Sequence, residues 1–316
     1  MKTATPFVLV LSLALISCRG GNGPEPAPPG SEDSITLLTV STVNYPLAYF
    51  ADRLGGDHVE VVFPAPDDED PATWSPDTET IVRYQTADLI LVNGAGYAKW
   101  VERATLPASR VIDTTMAAGD RLLELDGAVT HSHGPEGEHE HGGWAFTTWL
   151  DPTLAVEQAR AVAAALSHRL PAARPAIAER LTALETDLTA LDDRLAAAAE
   201  VIRDEPLLFS HPVYQYLIAR YNLNGTEIHW EPDVAPDGTM WSELDHLLEH
   251  HDARWMLWEG GPLDSTVTAL EERGIASVVF SPCGNAPAEG DWMTVMSANA
   301  EALEAVAAGL PADHTD

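Results

Sequence analysis

Hydrophobic and polar positions along this 316-residue chain follow two alternating rhythms. Short aliphatic or β-branched runs at 35–40, 59–63, 89–92, 207–209, 255–258 and 277–280 alternate with stretches of helical spacing, which predicts parallel sheets. Between the two groups of strands, residues 151–203 are rich in Ala, Leu, Glu and Arg and are broken at Pro171 and Pro175, which predicts two helices. In the second, Leu181, Leu184, Leu188, Leu191 and Leu195 recur at spacings of three and four. They form one apolar stripe on a helix of roughly 28 residues, about 40 Å long. The stripe is short for a coiled-coil seam and is flanked by α/β sequence, so it suits a brace between lobes. The expected fold class is α/β, with two (β/α) lobes of parallel sheet joined by a long bracing α-helix. The lobes are placed at 34–170 and 204–316, and the linking helix at 171–203.

The first residues follow neither rhythm. Lys2 precedes an apolar stretch at 7–16, interrupted by Ser12, that ends in Leu15-Ile16-Ser17-Cys18. About ten apolar residues are too few to span a roughly 30 Å hydrocarbon core, but they match the apolar region of a cleavable signal. Residues 1–17 are therefore read as a signal peptide, Cys18 as the lipidated residue of a bacterial lipoprotein, and 18–33 as a flexible tether of Gly, Pro and acidic residues. This reading puts the folded part outside the cytoplasm, anchored to a membrane by lipid, and on the periplasmic side in a Gram-negative cell.

Charge and cysteine content narrow the partners. With 49 acidic against 17 basic residues, the net charge of −32 repels phosphate backbones and argues against a nucleic-acid partner. Cations are the natural counter-species, although dense surface carboxylate also serves solubility. With Cys18 committed to lipid, Cys283 is left as a lone thiol, either a small buried residue or a site ligand. Neither H-E-x-x-H nor G-x-S-x-G occurs, so no hydrolytic chemistry is read and the chain is not expected to be an enzyme.

One segment departs from its surroundings. Within 130–143, His131, His133, His139 and His141 alternate with glycines and with Glu136, Glu138 and Glu140. It is read as a flexible acidic loop whose imidazoles suit zinc or copper. His246, His250 and His251 read as surface residues, and His229 as a strand residue.

Several motifs in fixed order resemble the zinc and manganese solute-binding proteins of ABC transporters, the cluster A-I family. Asp70-Pro71-Ala72-Thr73-Trp74-Ser75-Pro76 resembles the family's D-P-H-x-[YW]-x-P, and the run from Ala87 to Gly94 its A-D-L-[IV]-x-x-N-G. Trp149-Leu150-Asp151-Pro152 matches W-L-D-P, and His211-Pro212-Val213-Tyr214-Gln215-Tyr216 resembles H-x-x-[FY]-x-Y. Glu231-Pro232 with Pro236, Trp258-Glu259, and Ser281-Pro282 resemble E-P-x-x-x-P, F-x-E and D-P. The resemblance implies a monomer that carries a metal ion, most simply zinc or another divalent transition metal, to an ABC permease in the membrane, with small lobe motions.

It also implies four metal-ligating positions, and three are changed: family ligands fall at Ala72, Thr147 and Ser281, and His211 alone persists. Alanine offers no ligand atom, and hydroxyls are poor zinc ligands. Replacement ligands are sought in His211 with Glu259, in Asp67, Asp68, Glu69 and Asp70, in Cys283, and in the His-rich loop. The alternatives are that the loop alone takes metal, or that a cleft with Trp74, Thr147 and Ser281 takes a metal chelate or small organic solute. A metal-buffering or adhesion-type lipoprotein serving no permease is the rival outside transport.

Overall fold

Strands that are apolar on both faces must be covered on both faces, and parallel pairing with crossover helices meets that demand. The computed structural model describes residues 37–132 and 138–309. Residues 1–33, expected to be a signal peptide, the lipidated Cys18 and a tether, lie outside the described residues.

The first lobe is a parallel sheet of β1 (Leu38–Thr42), β2 (Val59–Val62), β3 (Leu89–Val92) and β4 (Val111–Asp113), in the order β2-β1-β3-β4. Its helices are α1 (Tyr45–Gly55), α2 (Thr78–Thr86) and the short α3 (Trp100–Arg103). An antiparallel ribbon follows, β5 (Glu124–Ser132) with β6 (Glu138–Trp144), and then α4 (Pro152–Arg169) and α5 (Arg174–Ile202). The second lobe contains β7 (Leu207–Phe209), α6 (Gln215–Tyr221), β8 (Gly225–Glu227), α7 (Gly238–Leu248), β9 (Trp255–Trp258), α8 (Asp264–Glu271), β10 (Ala276–Val279) and α9 (Trp292–Ala308). Its sheet is also parallel, in the order β10-β9-β7-β8. The α/β class, the two lobes and the long helix are as expected.

Three expectations change. β1 starts at Leu38, later than the apolar run at 35 suggested, and β4 and β8 were not foreseen. Each of those two is a half-buried edge strand of three residues, Val-Ile-Asp and Gly-Thr-Glu, too short and too polar to stand out as a run. The His-rich segment is largely a ribbon: the backbone of His131 pairs with that of His139, and Val129 with His141. Main-chain hydrogen bonds make such a ladder without any apolar core. His133 lies outside the described residues.

Local signals explain the family motifs. Asp151 caps α4, accepting from Thr153 N at 2.8 Å, and Pro152 occupies the first turn, where its missing N–H costs nothing. Trp149, just before this cap, is buried and donates its indole N–H to Pro282 O of the second lobe at 2.7 Å. After β3, Asn93 receives Gln158 Nε2 (3.0 Å) and Asn44 Nδ2 (3.3 Å) and donates to Phe146 O (2.9 Å). Gly94 follows at φ +79°, where a Cβ would sit 2.2 Å from both Asp113 Oδ1 and Thr115 Oγ1.

One continuous core joins the lobes. It runs from Leu47 and Leu54 of α1 through Val162 of α4 and Leu184, Leu188 and Leu195 of α5 to Phe209, Leu257 and Leu303. A smaller cluster, including Leu208, Met256, Trp258 and Leu270, lies on the opposite face of the second sheet. Ion pairs add α5 to both sides: Arg53 with Asp187, Arg220 with Asp192, and Arg194 with Glu304. These are partly exposed, so each contributes at most about 1 kcal/mol.

Leu188→Ala is expected to lower the unfolding free energy by roughly 2–5 kcal/mol, and Gly94→Ala by at least about 1–3 kcal/mol. Urea titration followed by tryptophan fluorescence checks both, and because the core is shared it should show one transition. Separate transitions for the lobes in the Leu188 variant would contradict a shared core.

Candidate metal centre

Loops at the carboxyl ends of both sheets enclose a cavity of about 670 Å³. Such crevices are where open α/β sheets bind ligands. Residues 67–71, which follow β2, and Tyr97, which follows β3, line the first-lobe side. His211 lies just past β7, Glu231 past β8, Glu259 past β9 and Ser281 past β10 on the other.

His211, Glu231 and Glu259 converge. The imidazole is bracketed, with Glu231 Oε1 3.6 Å from Nε2 and Glu259 Oε2 3.8 Å from Nδ1. One ligand atom from each residue lies within 4.8 Å of the others. Tetrahedral ligands about 2.0–2.1 Å from zinc are about 3.3 Å apart, so small side-chain rotations suffice to close on an ion. An ion held here would take one imidazole nitrogen and one oxygen from each carboxylate, leaving the other imidazole nitrogen for an outer hydrogen bond of the kind that orients metal-bound histidines. His211 is 8% exposed, whereas the carboxylates are half-buried and face the cavity.

Ser210 organises this convergence. Its N–H donates to Leu257 O (2.9 Å), its carbonyl accepts from Trp230 N (2.7 Å), and its hydroxyl accepts from Glu259 N (3.3 Å). The segments that carry both glutamates are thus pinned to the residue beside His211. Glu231 was read from the sequence only as part of an E-P motif. Its role depends on the pairing of β8 with β7, and β8 has no apolar run to announce it.

The neighbouring groups differ in what they offer. Burial pushes the Glu227 carboxyl up to about 7, although it accepts from Tyr214 N (3.2 Å) and Gln215 Nε2 (3.3 Å). His229 is exposed beyond the end of β8, outside the strand where it was expected, and its ring is edge-on to that of His211 at 6.2 Å. Thr147 lines the cavity but donates its hydroxyl to Val213 O (2.5 Å). The Ser281 hydroxyl accepts from Cys283 N (3.2 Å), while Asn299 clamps the Ser281 backbone. Ala72 is buried outside the cavity lining.

Cys283 lines the cavity at φ +54°, apart from the His-Glu-Glu cluster. Burial pushes its thiol up to about 12, so it stays protonated, and Sγ lies 3.6 Å from Asn285 O. Asp67, Asp68, Glu69 and Asp70 form an exposed acidic rim. Asn285 ties that rim to the second lobe by donating to Pro66 O (2.6 Å) and Glu69 O (2.9 Å). Trp74 is half-buried and does not line the cavity. The side chains of His131, His133, His139 and His141 lie outside the described residues. His246 and His250 are exposed as expected, whereas His251 is half-buried with Nε2 3.0 Å from Leu207 O.

Known proteins share this architecture. The zinc-binding protein AdcA of Streptococcus pyogenes is 23% identical over 287 residues, 84% of this chain, and the match spans 55% of AdcA, about half its length. The manganese ABC transporter substrate-binding lipoprotein PsaA of Streptococcus pneumoniae is 25% identical over 256 residues, 78% of this chain and 77% of PsaA. The Zn(II)-bound ZnuA-like domain of Streptococcus pneumoniae AdcA superposes with a TM-score of 0.70 at 21% identity, covering 85% of this chain and 98% of that domain, a likeness of fold. The family model for the periplasmic zinc-uptake complex component A, ZnuA, matches residues 40–306, and the chain belongs to that family.

Proposed function

We propose that this chain is the metal-binding component of an uptake transporter, holding zinc or another divalent transition metal between His211, Glu231 and Glu259 and passing it to an ABC permease in the membrane. The convergence of one imidazole and two carboxylates in the cavity carries the reading. Membership of the ZnuA family and the printed functions of AdcA and PsaA support it. The protein acts as a monomer outside the cytoplasm, held at the membrane by lipid on Cys18.

Capture follows from charge and geometry. An acidic surface and the rim at 67–70 concentrate cations and speed encounter more than they add affinity. The ion binds the lone-pair nitrogen of neutral His211, so protons compete with metal for that ring. The His-rich ribbon at 130–143 supplies a second, weaker capture point that loads the cleft.

Calorimetric zinc titration of the metal-stripped full chain tests the assignment. His211→Ala is expected to weaken the tightest site by more than the roughly 10–100-fold that loss of an outer partner costs, and Glu231→Gln to weaken it substantially. Deleting 130–143 should remove only weaker sites. A tight site that survives His211→Ala and disappears with the ribbon would overturn the cleft assignment.

A further inference from the structure

A single ion does not fill this cavity. Its volume of about 670 Å³ lies in the range of sites that enclose small organic ligands, roughly 300–1,000 Å³. The three proposed ligands all stand on the second-lobe side, and among the described residues no fourth His, Cys, Asp or Glu joins their cluster, which leaves a fourth position of a tetrahedral ion to be filled. The residues at the three changed family positions do not close it: Ala72 is out of reach, and the hydroxyls of Thr147 and Ser281 are engaged by the backbone.

Two features describe what would complete the coordination. Tyr97 lines the cavity at 6% exposure, and among the described residues its hydroxyl has no hydrogen-bond partner. An unmet buried hydroxyl costs about 1–3 kcal/mol, which a ligand group reaching it recovers. Gly284 of the second lobe lies beside it, since a Cβ there would stand 3.4 Å from that hydroxyl. The second feature is charge. Asp67, Asp68, Glu69, Asp70, Glu227 and Asp233 line the cavity beside Glu231 and Glu259, and among the described residues no lysine or arginine does. An anionic chelator would face carboxylates with no basic side chain to offset them.

Building on the metal-binding reading above, we propose that the cargo is a chelate: a metal ion carrying a small, neutral or cationic nitrogen-donor molecule. Amine or imidazole nitrogen fills the open position on an ion held by His211, Glu231 and Glu259. The body of the molecule packs on the rings of Tyr97 and Phe146, and a polar group meets the Tyr97 hydroxyl.

Zinc affinity of the full chain, measured by competition with a fluorescent indicator, tests this with histamine as the cationic nitrogen donor and iminodiacetate as the anionic chelator. Histamine is expected to raise the chain's affinity for zinc, referred to free ion, at least about tenfold, equivalent to about 1.4 kcal/mol, whereas iminodiacetate leaves it unchanged. Tyr97→Phe should reduce the histamine gain roughly two- to tenfold and leave affinity for zinc alone intact. His229→Ala should leave both unchanged. If histamine gives no gain, the chelate proposal fails while the metal-binding reading stands. If His229→Ala weakens binding of zinc alone, His229 is the fourth ligand and the chelate proposal also fails. If zinc does not bind with or without histamine, both readings fall.

Discussion

The apolar face of α5 holds two parallel sheets in one core, and the geometry of the cleft follows from that constraint. Leu184, Leu188 and Leu195 are all buried in the cluster that also contains Leu54 of the first lobe and Phe209 of the second. Opening the lobes widely would expose that shared surface, at about 25 cal/mol for each Å² uncovered. Bonds across the cleft add to the restraint: Trp149 to Pro282, Thr147 to Val213, Tyr216 to Ala145, and Asn285 to Pro66 and Glu69. The cavity therefore has largely fixed walls, which favours side-chain adjustment over domain closure. Such preorganisation spares affinity the cost of ordering.

Within these walls the proposed metal ligands all stand on the second-lobe side. Ala72, Thr147 and Ser281, where the sequence motifs place the changed ligand positions, take part in packing and backbone bonding. His211 remains, and Ser210 beside it draws Glu231 and Glu259 to the two edges of its ring. A site with one imidazole and two carboxylates is harder and more oxygen-rich than a multi-histidine site, which shifts its preference along the series of divalent metals. The first-lobe side of the cavity presents Tyr97 and the acidic rim.

Much of this was legible in the sequence wherever one physical signal dominated. β3, β7 and β9 are buried apolar runs and fall at the expected residues. The leucine stripe gave α5, and Asp151-Pro152 marks the start of α4. His211 is singled out by its motif, and residue type alone says that Ala72 offers no ligand atom. Glu231 was not legible as a ligand, because its place depends on β8, which pairs by backbone with little apolar content. Tyr97 was missed for a similar reason: a tyrosine after an N-G turn has no signature until the opposite lobe supplies Gly284. Cys283, a possible ligand by proximity in sequence, lines the cavity but stands apart from the His-Glu-Glu cluster.

The central claim concerns where the ion sits, and anomalous diffraction at the zinc edge from crystals of the zinc-loaded protein measures that position directly. The account predicts a strong peak in the cleft about 2.0–2.2 Å from one nitrogen of His211 and from carboxylate oxygens of Glu231 and Glu259. A cleft without a peak, or a peak coordinated by the His-rich ribbon alone, would contradict it.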